Sequence, residues 1–208
     1  MSHGHCGPAL IPCYSGPMSG DLSKAELRKQ ALARRALVTP EQRRTYADHL
    51  AAEGLRLARA RPGVKCVAAY WPLRDEADTF PLLRALNDAG FVTALPVVRA
   101  GKALQFRRWS PGDSLVKATF GLSEPEPVQE VVEPDVMFVP LAAFDRRGHR
   151  IGFGHGHFDA TLEKARGSRP ILAVGVAFSC QEIPEVPDEE HDQLLDFVIT
   201  EDEILAFG

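Results

Sequence analysis

Three glycines alternate at Gly152, Gly154 and Gly156, just ahead of a helical pattern that begins near His157. Glycines in that place leave backbone N–H groups free to converge on an anion, and a helix N-terminus adds about half a positive charge. Arg150, two residues upstream, can add a bidentate phosphate contact. The same string also reads as a flexible hairpin. It is neither a Walker loop nor a dinucleotide fingerprint, because no Gly-Lys-Ser/Thr follows it and no early strand precedes it.

Lys24 and Arg28 are four residues apart, so a helix places them on one face. Like charges at that spacing repel slightly, and a cation in the first turn opposes the helix dipole. The pair therefore reads either as a solvated face or as two cations for a polyphosphate. Asp159 follows the glycine loop, and Asp192 ends the run Glu189-Glu190-His191-Asp192. Carboxylates beside a phosphate site suit magnesium, which takes hard oxygen ligands. Asp159 equally fits an ordinary first-turn carboxylate. Glu76 follows a buried strand at the carboxyl edge of a sheet, where it is either a site residue or a loop carboxylate paired with Arg74. His149, His155 and His157 with Asp159 resemble a zinc ligand run, with His191 the one later histidine to complete it. A zinc hydrolase would carry bound metal and work without ATP.

These residues need a scaffold, and the chain supplies one. Ser23 with Glu26 forms a capping-box pattern for a first helix running to about residue 37. Thr39, Pro40 and Gln42 open a second one, which runs to about residue 60. Strands and helices then alternate. Strands are expected at 64–71, 91–96, 104–109, 135–140, 171–177 and 197–200, and helices at 78–88 and 158–165. Residues 112–134 form the longest irregular stretch, which is either functional or hides a strand. Apolar strands alternating with helices imply an α/β fold. The expected architecture is a single domain, with a mainly parallel central sheet flanked by helices on both faces and preceded by two N-terminal helices. Ligands in such folds sit beyond the carboxyl ends of the strands.

The 208 residues are 45% hydrophobic and 25% charged, which suits one soluble domain able to bury its own core. Residues 1–22 are expected to be a disordered or extraneous leader, and 23–208 the folded domain. Cys6 and Cys13 of the leader, with His3 and His5, lack the second ligand pair of a zinc site. Cys66 and Cys180 read as buried thiols of a reduced, cytoplasmic protein. No apolar run is long enough to span a membrane. The net charge of −4 excludes a generically basic nucleic-acid binder. It hides a split: residues 24–61 carry ten cations against four anions, whereas 182–208 carry ten anions and no Lys or Arg. Arg34 to Arg44 and Arg56 to Arg61 are expected on solvated helix faces.

Taken in order, these segments resemble one known family. The pattern comprises Lys24-x-x-x-Arg28, the strand ending Tyr70-Trp71, Asp75-Glu76-x-Asp78-Thr79, Leu95-Pro96 and Phe106-x-x-Trp109. It continues with Gly121-Leu122-Ser123-Glu124-Pro125, VPLAAFDRRGHRIGFGHGHFD at 139–159, and His191-Asp192. Together they resemble 5-formyltetrahydrofolate cyclo-ligases, also called methenyltetrahydrofolate synthetases, over about residues 23–200. The resemblance implies a single α/β domain that uses ATP and magnesium to turn 5-formyltetrahydrofolate into 5,10-methenyltetrahydrofolate, releasing ADP and phosphate. It implies that Lys24, Arg28 and Arg150 act on the ATP phosphates. Gly152, Phe153, Gly154, His155, Gly156, His157 and Phe158 would wrap the triphosphate. Asp159 and Asp192 would hold magnesium. Glu76, Trp71, Phe120 and His157 would meet the folate. The expected partners are a reduced folate and ATP, with no nucleic acid and no membrane, and the expected state is a monomer or small homo-oligomer.

The loop departs from the family's common Gly-x-Gly-Gly-Gly-Tyr-Tyr-Asp. Here His155 stands in place of a small or basic residue, His157 and Phe158 replace two tyrosines, and Phe153 stands where some members carry Arg. That departure keeps two alternatives open: a 5-formyl-folate-binding protein of low turnover, and an ATP-using enzyme acting on another heterocycle.

Overall fold

The computed structural model describes residues 22–118 and 121–208. Phe120 and residues 1–21 of the expected leader lie outside them. Both opening helices form as their caps predict. In α1 (Lys24–Arg35) the Ser23 hydroxyl accepts from Glu26 N–H while the Glu26 carboxylate accepts from Ser23 N–H at 2.9 Å. In α2 (Pro40–Arg59) Thr39 and Gln42 exchange the same pair, with Pro40 in the first turn.

The central sheet has eight strands. These include β1 (Cys66–Ala68), β2 (Val92–Val97), β3 (Gln105–Arg108), β6 (Val131–Val132), β7 (Val136–Pro140), β10 (Leu172–Val176), β11 (Phe197–Ile199) and β12 (Ile204–Ala206). Their order is β12-β11-β10-β7-β1-β2-β3-β6. The five inner strands, β11 to β2, run parallel, and β12, β3 and β6 add antiparallel edges. Side chains alternate between the faces. Val67, Phe138 and Val174 meet α2 and α3 (Phe80–Asp88) through Leu50, Leu82 and Leu86. Cys66, Met137 and Ala173 meet α4 (His157–Arg166) through Leu162. Both faces are thus covered, which is the condition for a parallel sheet with continuous apolar strands. Among the described residues no helix is long and apolar enough to cross a membrane.

The first strand is shorter than expected, because ladder pairing ends where the chain turns out toward Pro72. The irregular 112–134 stretch does contain strands: the hairpin of β4 (Leu115–Lys117) with β5 (Ser123–Pro125), and β6. A second small hairpin joins β8 (Ala143–Phe144) to β9 (Arg150–Ile151). Strands of two residues carry too little alternation to be seen in sequence. α1 does not cover the sheet. Its Leu27 and Ala31 pack on Ala143, Ile151, Ile183 and Val186, so it is seated on that second hairpin.

Candidate active site

The hairpin that carries Arg150 is organised by a fully buried carboxylate, Asp145. Asp145 Oδ1 accepts from the N–H groups of Arg147 and His149, and its Oδ2 accepts from Val186 N–H at 2.9 Å and pairs with Arg147 at 2.8 Å. Two turn residues and a distant loop are thereby fixed to one side chain.

Arg150 follows on β9 and is itself buried. Its Nη2 meets Asp159 Oδ1 at 2.6 Å, and its Nη1 donates to the Gln193 carbonyl. Gln193 N–H returns a bond to the same Asp159 oxygen at 3.3 Å. Burial pushes the Arg150 guanidinium pKa down, and Asp159 and then Asp192 oppose that. A guanidinium starts so high that it stays charged. Gly156 caps α4 in the left-handed region at φ 65°, a conformation that costs a side-chain-bearing residue about 1–2 kcal/mol. Asp159 sits in the first turn beyond it.

α1 reaches the loop from the other side. Arg28 Nε donates to the Gly152 carbonyl at 2.6 Å, and its guanidinium would lie 3.7 Å from a Cβ on Gly154. Lys24 Nζ pairs with Asp192 at 2.7 Å and with Glu189 at 3.2 Å. Burial works against both charges of the first pair. The hydrogen bonds outweigh it, so Lys24 is raised and Asp192 is held below the usual carboxylate range. Both hydrogen bonds to Asp192 fall on Oδ2, and both to Asp159 fall on Oδ1. Each carboxylate keeps its second oxygen available, which suits a hard cation.

A cleft of about 710 Å³ opens beside the loop. Trp71, Pro96, Val98 and Pro140 line it, at the carboxyl ends of β1, β2 and β7. Arg150, Gly152, Phe153 and residues 155–159 supply further lining. Trp71 is held by an aromatic cluster, edge-on to Trp109 at 5.6 Å and to Phe80 at 6.3 Å. Glu76 also lines the cleft and accepts from Leu73 N–H at 2.9 Å, not from Arg74. Burial pushes its pKa up, against that hydrogen bond and the charge of Arg35. His157 Nδ1 lies 2.7 Å from the Lys102 carbonyl, so it carries the proton and leaves Nε2 as the acceptor of the neutral ring. His155 and His157 stack with centroids 5.7 Å apart and planes 3° apart. Phe158 packs toward the core under α4.

The structure therefore gathers Arg150, the 152–158 loop, Asp159, Trp71 and Glu76 at one cleft. Lys24, Arg28 and Asp192 lie outside its lining and join it through Gly152, Asp159 and Gln193. Phe120 lies outside the described residues. The histidines do not assemble as the zinc reading requires. Among the described residues the one cluster with metal spacing is Glu189, His191 and Asp192, whose ligand atoms lie within 4.8 Å of one another.

One expectation is corrected. Arg35 and Arg43 do not belong to a solvated face. Arg35 is 5% exposed, pairs with Asp75 at 2.9 Å, lines the cleft and lies 5.8 Å from the centroid of the Phe153 ring. Arg43 donates to the carbonyls of Asp75, Val38 and Arg35 and covers the Phe178 ring at 5.3 Å. Arg35, Asp75, Asp145 and Gln193 were given no role from sequence, and each makes a contact with a partner distant in the chain.

The family model of the 5-formyltetrahydrofolate cyclo-ligase family matches residues 21–201. A 5-formyltetrahydrofolate cyclo-ligase of Mycolicibacterium smegmatis is 34% identical over 189 residues, covering 86% of this chain and 93% of that protein. One from Escherichia coli K12 is 34% identical over 175 residues, covering 80% and 94%. The solution structure of the Aquifex aeolicus 5,10-methenyltetrahydrofolate synthetase superposes with a TM-score of 0.70 at 32% identity, covering 88% of this chain and 92% of that one. With this fold, this cleft and these relatives, the chain belongs to the 5-formyltetrahydrofolate cyclo-ligase family.

Proposed function

We propose that the chain uses ATP to close 5-formyltetrahydrofolate into 5,10-methenyltetrahydrofolate. The observation that carries this reading is one cleft with two kinds of lining: Arg150 and the α4 N-terminus for phosphate, Trp71 and the buried Glu76 for a heterocycle. The formyl oxygen attacks the γ-phosphorus of ATP and ADP leaves. N10 then attacks the activated carbon and gives up its proton, the ring closes, and phosphate departs with the former formyl oxygen.

Such a reaction needs positioning and charge neutralisation more than a protein nucleophile. Arg150 is fixed by Asp159 and Gln193, so it offers an oriented cation to the triphosphate. The N–H groups of the 152–158 loop and the α4 dipole add to it. Arg28 holds that loop from α1 through the Gly152 carbonyl, and Lys24, paired with Asp192 and Glu189, adds positive charge nearby. Glu76 and Trp71 orient the folate head near the formyl group, and His157 offers Nε2 at the same wall. Asp159 and Asp192 have the donor chemistry for the magnesium that accompanies ATP, which would neutralise phosphate charge when bound. Cys66 and Cys180 are buried free thiols, with pKa values pushed by burial up to about 12 and about 11, which fits a reducing, cytoplasmic setting.

The direct test follows ADP release and methenyl absorbance together. The expected result is one ADP per methenyl product, with both signals lost on chelation of magnesium. Methenyl formation without ATP would overturn the proposal.

A further inference from the structure

Among the described residues, three Lys or Arg side chains line the cleft: Arg35, Arg74 and Arg150. Two of them are engaged by carboxylates, Arg35 by Asp75 at 2.9 Å and Arg150 by Asp159 at 2.6 Å. Arg74 is different. It is exposed, and no carboxylate or other hydrogen-bond partner among the described residues meets its guanidinium. Glu76, the neighbour that sequence offers it, turns its carboxylate to Leu73 N–H instead, at 2.9 Å.

Its backbone is also unusual. Among the described residues Arg74 is the one residue other than glycine with a positive φ, at 52°. A Cβ disfavours that left-handed region, and glycine or asparagine is its usual occupant. The turn around Arg74 is held from three directions. Glu76 N–H closes it on the Leu73 carbonyl at 3.0 Å, Arg35 holds the Asp75 carboxylate, and Arg43 donates to the Asp75 carbonyl. The fold therefore maintains an arginine in a conformation that arginine disfavours, with its charge unpaired at the wall of the cleft. Strain retained at such a place points to a side chain that is needed there.

We propose that Arg74 is a catalytic residue that receives the transferred phosphoryl group on the folate wall of the cleft. The inference rests on the cyclo-ligase reading, which puts Glu76, in the same turn, at the formyl end of the folate. The pterin and the formyl group are uncharged, and the folate carboxylates lie at the far end, beyond the aminobenzoyl ring. The substrate anion that arrives beside this turn is therefore the γ-phosphoryl group. The formyl oxygen forms a bond to the γ-phosphorus, the bond from that phosphorus to the bridging oxygen breaks, and its electron pair leaves on ADP. The phosphoryl oxygens keep their negative charge and come under the repulsion of the Glu76 carboxylate. Arg74 donates N–H groups to those oxygens and offsets that repulsion, with no proton transferred. Charge-assisted bonds of this kind count most when they meet charge arriving in the transition state.

The test measures kcat and both KM values in wild type, Arg74→Asn and Arg74→Lys, with melting temperatures for all three. Asparagine tolerates a positive φ, so Arg74→Asn should melt no lower than wild type. Its kcat should fall by at least about tenfold while the KM for ATP and for 5-formyltetrahydrofolate each stay within about twofold, the pattern of an interaction made only in the transition state. Arg74→Lys keeps the charge and should recover part of the lost rate. An unchanged kcat in Arg74→Asn would overturn the proposal. So would a raised KM for one substrate at unchanged kcat, which would make Arg74 a ground-state contact to that substrate. Wild type that forms no methenyl product would instead sink the cyclo-ligase reading itself.

Discussion

Glu76 carries a carboxyl group into the cleft where burial disfavours its charge, and Arg35 is the nearby cation that restores part of it. Arg35 pairs directly with Asp75, the preceding residue, so it also holds the backbone of that loop. It is a positioning residue, because it acts through Asp75 and Glu76. Removing its charge should raise the Glu76 pKa further. If the ionised carboxylate orients the folate, the acid limb of the kcat/KM profile should move to higher pH in Arg35→Met and stay near wild type in Arg35→Lys. A profile that does not move in Arg35→Met would show that the two groups are uncoupled in the working enzyme. The difference between Arg35 and a solvated arginine was not visible in sequence. Both sit on a basic helix, and only the folded partner, Asp75, separates them. Glu76, Asp159 and Arg150 could be singled out in sequence because each lies next to a marked feature: a strand end for Glu76, the glycine string for Asp159 and Arg150.

At the scale of elements, the site depends on how closely the helices approach the sheet and the loop. Gly54 of α2 has no room for a side chain: an added Cβ would lie 2.6 Å from Leu82 and 3.0 Å from Phe138. Gly54→Ala should therefore destabilise the protein by about 1–3 kcal/mol, the usual cost of overpacking a core, read by urea denaturation. Substitution of Gly156 addresses the loop instead. Gly156→Ala forces an L-residue to φ 65° at the α4 cap and should raise the KM for ATP more than it lowers the melting temperature. An unchanged KM for ATP would remove that loop from the nucleotide site. The helices were legible because their caps are local: Ser23 with Glu26, Thr39 with Gln42. The β8–β9 hairpin was not, since its two-residue strands carry little alternation and the buried Asp145 in its turn is anchored to Val186 across the fold.

Over the whole molecule, the basic N-terminal and acidic C-terminal segments meet. Lys24 pairs with Asp192 and Glu189, which joins α1 to the late acidic loop, and Arg34 Nε donates to the Cys180 carbonyl at 2.6 Å. Asp75 and Asp192 are both held below their ordinary pKa despite burial, by Arg35 and Lys24 respectively. Their contribution to stability is present above a pH of about 4 and is lost as pH falls through their lowered values. Glu76 has the opposite sign: its raised pKa favours the folded state most below about pH 4 and loses that effect as pH rises through it. Unfolding free energy should thus fall between pH 5 and pH 3 in wild type and fall less in Lys24→Met, whose Asp192 has lost its partner. Equal slopes in a denaturant series would contradict this. The parallel sheet and its covered faces were legible from apolar strands alternating with helices. The pairing of the two charged segments was not, because nothing local places residue 24 beside residue 192.

The central claim is that Arg150, Asp159 and the glycine loop form the phosphate side of an ATP-driven ring closure. The most direct measurement is methenyl formation by Asp159→Asn beside wild type, with melting temperatures recorded for both. The account predicts that the folded variant loses at least about a hundredfold in turnover, as expected when a group acting on transition-state charge is removed. Full turnover in a folded Asp159→Asn enzyme would contradict it.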